Sequence, residues 1–237
     1  MQCIYTLSND FLKPLNLFRD WVFQPRVQEA LQSKIEWQPA FLHDKKQEER
    51  AASLDYLMGI SHADHNGYPP DQYGLNLNYG FLQSHRRLVE PKFFDEVRDI
   101  NNQVDDELQM ALGARFCALK MFYPENGYIA WHTNWNVPGY NIIFTYSEKG
   151  NGYWRHIDPK GANDYVPRQD SLVHIDDVPG WHCKVGYFGK KEDHERLVWH
   201  SAYTREPRLT VSYVIFEENL WTNMVEELSD AARRPIK

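Results

Sequence analysis

RFCALKMFYPENGYIAWHTN, residues 115–134, is where the chain changes character. Arg115–Tyr123 reads as one β-type run and Tyr128–Thr133 as a second, with Pro124-Glu125-Asn126-Gly127 between them as a turn. The pattern repeats downstream at Tyr140–Tyr146, Tyr153–Ile157, Ser171–Ile175, Lys184–Phe188, Arg196–His200 and Leu209–Phe216. Eight short strands separated by turns predict two antiparallel sheets in a jelly roll or related sandwich. Asn126-Gly127 and Lys149-Gly150-Asn151-Gly152 supply residues that accept positive φ, so both are expected to close hairpins.

Upstream of Gly113 the period is helical. Leu15, Leu17, Phe18, Trp21 and Val22 predict an amphipathic helix near 15–32, and a charged one is expected from Asp44 to Leu57. Glu90-Pro91 opens a further helix carrying Phe93, Phe94, Val97, Ile100, Val104, Leu108, Ala111 and Leu112, which ends at Gly113. Between these, Gly59–Gly80 is rich in Gly, Pro, Asn and Tyr and reads as a long ordered surface loop. After Glu217, Leu220, Trp221, Met224 and Leu228 predict a C-terminal helix that frays at Arg233-Arg234-Pro235. The expectation is one α+β domain over 1–237: a helical flank over 1–113, a β core over 114–216, and a helix and tail over 217–237. No internal repeat is visible.

Composition limits the function classes. The chain has 237 residues, 42% hydrophobic and 25% charged, which excludes collagen-like and wholly disordered readings. A net charge of -7 gives no electrostatic reason to expect nucleic acid. Cys3, Cys117 and Cys183 are odd in number and widely spaced, which indicates neither a disulfide scaffold nor a structural zinc site. With no membrane span or signal pattern in view, a soluble protein of the reducing cytoplasm is expected.

The residues that carry chemistry lie in the β region. Trp131-His132-Thr133-Asn134 ends one predicted strand and Trp199-His200 ends another. Arg208-Leu209-Thr210-Val211-Ser212 begins the last. On an extended chain, alternate residues share a face, so His132 and Asn134 would present a nitrogen and an oxygen to one ion. A histidine from a facing strand, His200, would complete one triangular side of an octahedron and leave positions open for substrate and dioxygen. Arg208 with Thr210 or Ser212 is suited to the far end of a dicarboxylate.

In this order the chain resembles the iron(II)/2-oxoglutarate-dependent dioxygenase superfamily, whose double-stranded β-helix carries His-x-Asp/Glu, a distal His and Arg-x-Ser/Thr. The likeness spans about Arg115 to Phe216. Tyr123-Pro124-Glu125-Asn126-Gly127 before His132 is similar to the approach in prolyl-hydroxylase-like members, and Gly150-Asn151-Gly152-Tyr153 sits where they carry a glycine turn. The resemblance implies His132 and His200 as iron ligands and Arg208 as the anchor of the 2-oxoglutarate C5 carboxylate. Thr210 or Ser212 and Tyr123 would assist. It implies an oxygenase using iron(II), 2-oxoglutarate and dioxygen to hydroxylate a peptidyl residue or a small amino-acid-like molecule. The departure is Asn134, which stands where the family has a carboxylate, so a neutral amide would have to serve as ligand. The competing readings are a weakly coordinated enzyme, a two-histidine variant, an anion supplied by Asp158 or Asp176, and a catalytically inactive module with a binding or structural role, conceivably in a phage.

Other patterns carry ordinary readings. His62-Ala63-Asp64 is a complete His-x-Asp, but no arginine follows His132 at eight to ten residues, so His62, Asp64 and His65 read as a solvated loop or a lid. Arg155 and His156 point either to the cavity or to solvent. Trp131, Trp135, Trp154, Trp181 and Trp199 read as core and rim packing. His174, His182 and His194 have no spacing that makes a site.

Overall fold

Gly113, held at φ +62°, closes the helical part of the chain where the sequence period changes. A computed structural model describes residues 1–35, 51–62, 64–78, 91–114 and 116–233. Among the described residues its helices are α1 (Asn9–Val22), α2 (Pro25–Ile35), α3 (Leu54–Ile60), α4 (Pro91–Leu112) and α5 (Glu218–Arg233).

The single helix expected near 15–32 is two helices. Pro25 is pre-shaped for the first turn of α2, but it disfavours helical backbone at the residue before it, and the chain breaks at Phe23-Gln24. Of the helix expected over Asp44–Leu57, residues 44–50 lie outside the described residues. The described helix there starts at Leu54, where the Ser53 hydroxyl accepts the Tyr56 N–H (3.1 Å). The expected Gly59–Gly80 loop begins inside α3 and holds two short strands, β2 (Gln72–Tyr73) and β3 (Leu75–Asn76), which extend the sheets at their edges. Gly80 lies outside the described residues.

After an N-terminal strand, β1 (Gln2–Ile4), the β region comprises β4 (Phe116–Tyr123), β5 (Tyr128–His132), β6 (Gly139–Ser147), β7 (Gly152–Ile157), β8 (Leu172–Asp176), β9 (Gly180–Phe188), β10 (His200–Thr204) and β11 (Arg208–Ile215). One boundary differs in a way that matters. Arg196–His200 is not a strand: His194–Arg196 forms a 3₁₀ turn, and β10 starts at His200 instead of ending there. Leu197 and Val198 are apolar because they are buried, while the strand ladder begins two residues later.

Two antiparallel sheets result, in the orders β1-β9-β6-β11-β4-β3 and β2-β5-β10-β7-β8. From β4 onward, successive strands lie in different sheets except for the β7–β8 pair. The turns at 124–127 and 149–152 therefore carry the chain from one sheet to the other and are not hairpins. Their residues are still those a tight reversal needs: Asn126 is at φ +63° and Gly150 at +78°.

Alternation along the strands separates three apolar layers. One face of the six-stranded sheet, with Phe122, Phe144, Val185, Leu209, Val211 and Tyr213, joins a core with Leu15, Phe18, Val22, Val97, Val104 and Leu108 of the helices. Between the sheets, Met121, Tyr123, Ile129, Ile143, Trp154, Phe188 and Ala202 form a second cluster. Behind the five-stranded sheet, Trp131 and Trp199 pack with Leu57 and Ile157. The helical layer is also tied to the sheet by polar groups: the buried Lys120 ammonium contacts Asp105 (2.7 Å) and Asn101 (2.6 Å), and the Tyr213 hydroxyl donates to Asp105 (2.7 Å).

Candidate metal and carboxylate site

His132, the last residue of β5, and His200, the first of β10, are direct register partners. Because partners across a ladder share a face, and Trp131 and Trp199 point to the opposite side, both imidazoles enter the space between the sheets. Their ring centroids lie 4.0 Å apart. His132 Nδ1–H donates to the Ala130 carbonyl (2.8 Å) and His200 Nδ1–H to that of Val198 (3.0 Å). A carbonyl can only accept, so both rings are fixed in the tautomer that leaves the Nε2 lone pair available. His200 is also clamped between Trp154 and Phe188, stacked on it at centroid distances of 4.7 and 4.6 Å. Burial lowers the His132 imidazole to about 4 and holds His200 well below its ordinary value, so both are neutral at pH 7, the form that binds a cation.

Asn134 reaches this place by a different route from the one its spacing suggests. β5 ends at His132, and Asn134 has left-handed backbone (φ +60°), a conformation that asparagine adopts more readily than most residues. Its N–H donates to the Gly67 carbonyl (2.8 Å), and its side-chain Nδ2 lies 3.3 Å from His200 Nε2. Gly67 is itself required: at φ +86°, an added Cβ would come within 2.6 Å of the Trp135 ring. The sequence showed neither Gly67 nor the role of its loop in seating Asn134.

The three residues line a cavity of about 530 Å³ that also includes Tyr123, Arg208, Thr210 and Ser212. Arg208 opens β11 directly opposite Tyr123, with its guanidinium carbon 5.8 Å from the phenol ring centroid. Burial pushes the Tyr123 hydroxyl up to about 12, so it stays a neutral donor. Arg208 is 1% exposed and is the only Lys, Arg, Asp or Glu lining this cavity among the described residues. The Thr210 hydroxyl, on the same face, is buried with no hydrogen-bond partner among the described residues. The lining thus combines one buried guanidinium, an unpaired hydroxyl and no carboxylate, a donor set that can bind an anion.

The other sequence candidates lie elsewhere. Neither Asp176, which is exposed and bonds His174 (2.9 Å), nor Asp158, which caps the Lys160 N–H, lines the cavity that holds His132 and His200. Among the described residues no three His, Cys, Asp or Glu side chains are arranged to hold a metal. His62 and Asp64 are exposed, but His65 is not part of a solvated loop: it is buried against Trp199 and Trp135, at centroid distances of 4.7 and 5.1 Å. Arg155 lies on the outer face, bonded to His174 and to the Ala52 carbonyl, while the buried His156 is the register partner of His200 on its other side.

Sequence reasoning missed Asp177, His182 and Lys184. Asp177 follows β8, and its carboxylate is fully buried 3.0 Å from Arg208 Nε. His182 Nε2 and Lys184 Nζ approach its Oδ1 at 3.2 and 3.4 Å. Burial alone would raise the Asp177 carboxyl, but Arg208, His182 and Lys184 outweigh it and hold it below the ordinary carboxylate range. The available signal was His182-x-Lys184, two polar residues on one face of an otherwise apolar strand.

No protein-family model and no curated protein matches the chain. Solved structures similar to it include a prolyl-4-hydroxylase from Pseudomonas putida, with 17% identity, a TM-score of 0.30, and coverage of 52% of this chain and 58% of that one. A prolyl hydroxylase from Trichoplax adhaerens, in complex with a hypoxia inducible factor oxygen degradation domain peptide fragment, matches at 10% identity and a TM-score of 0.34, over 84% of this chain and 92% of that one. The chain thus spans 58% of the length of the Pseudomonas putida enzyme. Among the described residues no helix is long and apolar enough to cross a membrane.

Proposed function

We propose that this protein is an iron(II)- and 2-oxoglutarate-dependent oxygenase that hydroxylates a peptidyl residue or a small amino-acid-like molecule. The observation that carries this reading is the meeting of His132 and His200, 68 residues apart in sequence, in one cavity with the buried Arg208. The strand order supports it: eight strands that pass from one antiparallel sheet to the other at every step except β7–β8 fit a double-stranded β-helix, with its metal ligands between the layers. The donor set fits a divalent cation held by two neutral imidazoles and the Asn134 amide oxygen once that amide turns over.

When bound, iron(II) would supply dioxygen activation coupled to oxidative decarboxylation of 2-oxoglutarate. The protein's own part is placement. Nδ1–H bonds and aromatic clamping hold the imidazoles, Arg208 and the Thr210 hydroxyl receive the far carboxylate, and Trp154, Phe188, Ile129 and Ile143 exclude water. The test is anaerobic iron(II) titration followed by 2-oxoglutarate consumption on admitting oxygen. Wild type is expected to do both, and His132→Ala and His200→Ala neither. Wild type that takes up no iron(II) would overturn the proposal.

One contact favours a second reading. The Asn134 Nδ2 satisfies the His200 lone pair without a metal, as expected of a double-stranded β-helix kept as a binding or structural module. In that case iron(II) uptake is absent and partner binding survives His132→Ala.

A further inference from the structure

A guanidinium has two edges that can each grip a carboxylate, the side edge of Nε with Nη2 and the end edge of Nη1 with Nη2. In Arg208 the side edge is taken: Asp177 Oδ2 lies 3.0 Å from Nε, and Oδ1 accepts from Nη2 at 3.3 Å. The Nε contact is close but not aligned as a hydrogen bond. Among the described residues Nη1 has no protein partner, and Arg208 lines the cavity while Asp177, His182 and Lys184 do not. Asp177 is built into this position. Its N–H donates to the Gly152 carbonyl (2.9 Å), and a Cβ on Gly152 would come within 2.4 Å of its Oδ2, so only glycine leaves room for the carboxylate. On its other side, Lys184 Nζ contacts both Asp177 and His182 Nε2 (2.9 Å), giving the aspartate a second cation.

We infer that Asp177 is a positioning residue: it holds the side edge of Arg208 so that the end edge faces the cavity and receives the far carboxylate of a five-carbon 2-oxo diacid. This rests on the proposed 2-oxoglutarate dependence. The arrangement also makes the site selective, since a 2-oxo acid of the same length without the far carboxylate gains nothing from Arg208.

The sign of one substitution separates positioning from simple charge balance. Removing the Asp177 charge leaves more positive potential around Arg208, so by electrostatics alone Asp177→Asn tightens anion binding. If Asp177 positions Arg208, the same change loosens the guanidinium and weakens 2-oxoglutarate by about tenfold, the size of one charge-assisted hydrogen bond. The experiment is anaerobic calorimetry of zinc-loaded protein with 2-oxoglutarate and with 2-oxopentanoate. The expected result is a loss confined to 2-oxoglutarate, so that the preference between the two acids shrinks. Equal or tighter 2-oxoglutarate binding by Asp177→Asn, or an equal loss for both acids, overturns the inference. Wild type that binds no 2-oxoglutarate overturns the proposed function and this inference with it. A measurement that needs no Asp177 variant stands if Asp177→Asn does not fold: with ¹⁵N-labelled arginine, the wild-type Nε–H signal, assigned by its loss in Arg208→Lys, should hold its shift when 2-oxoglutarate is added, while the Nη signals move. A displaced Nε–H signal would mean that the diacid replaces Asp177, and would also overturn it.

Discussion

His200 lies directly across the β5–β10 ladder from His132, their ring centroids 4.0 Å apart, with Asn134 Nδ2 3.3 Å from His200 Nε2. Two lone pairs and one amide thus share a small volume between the sheets. What the amide does there decides between an enzyme and a module.

Replacing Asn134 with Asp tests it. Aspartate tolerates the same left-handed backbone and brings an anionic oxygen to the place of the amide. Iron(II) affinity is expected to rise by about tenfold or more, since ligand charge sets much of the affinity for a divalent cation. An unchanged dissociation constant would put position 134 outside the coordination sphere.

Stability should depend on pH through the buried imidazoles. Burial is the main cause holding His65, His132 and His156 at about 4 and His200 well below its ordinary value, whereas in the unfolded chain they titrate near 6.5. Below about pH 6.5 the unfolded chain therefore binds more protons than the folded one. The stability is fully present above that pH and is lost toward pH 4, at up to about 1.4 kcal/mol per pH unit for each imidazole. Urea midpoints of the metal-free protein between pH 4.5 and 8 check this, and a midpoint that rises on acidification contradicts it.

Gly67→Ala joins fold and site. The new Cβ meets Trp135, which is pinned against His65 and Trp199, and φ at +86° is strained for alanine. A loss of roughly 1–3 kcal/mol is expected in chemical denaturation. Iron(II) should also bind more weakly, because the Gly67 carbonyl seats the Asn134 backbone. Weaker metal binding without any loss of stability would show that the loop acts on the site alone.

Asp105 balances a cation away from the site. Lys120 is fully buried and Asp105 about a quarter exposed, so Asp105→Ala strands an ammonium in the core. The expected cost is about 3 kcal/mol, the lower end of the range for a broken buried pair. Lys120→Met removes the charge together with its need for a partner and should cost less. Equal losses in the two variants would mean that packing, not charge, sets the penalty.

Much of the architecture was legible from local pattern. Strand periodicity after Gly113, the helix from Pro91 to Leu112, and the order His132, His200, Arg208 depend on neighbours in sequence and on backbone preferences that act within a few residues. Folding decided what depends on residues far apart in the chain. It sent the chain across from sheet to sheet at 124–127 and 149–152, began β10 at His200, turned Asn134 through positive φ onto Gly67, and set Asp177 behind Arg208. A turn residue records that the chain reverses, not which sheet it enters. A buried aspartate meets its arginine, 31 residues on in the chain, only when folding packs the segment after β8 against β11, because their attraction becomes strong only in the dry interior that folding creates.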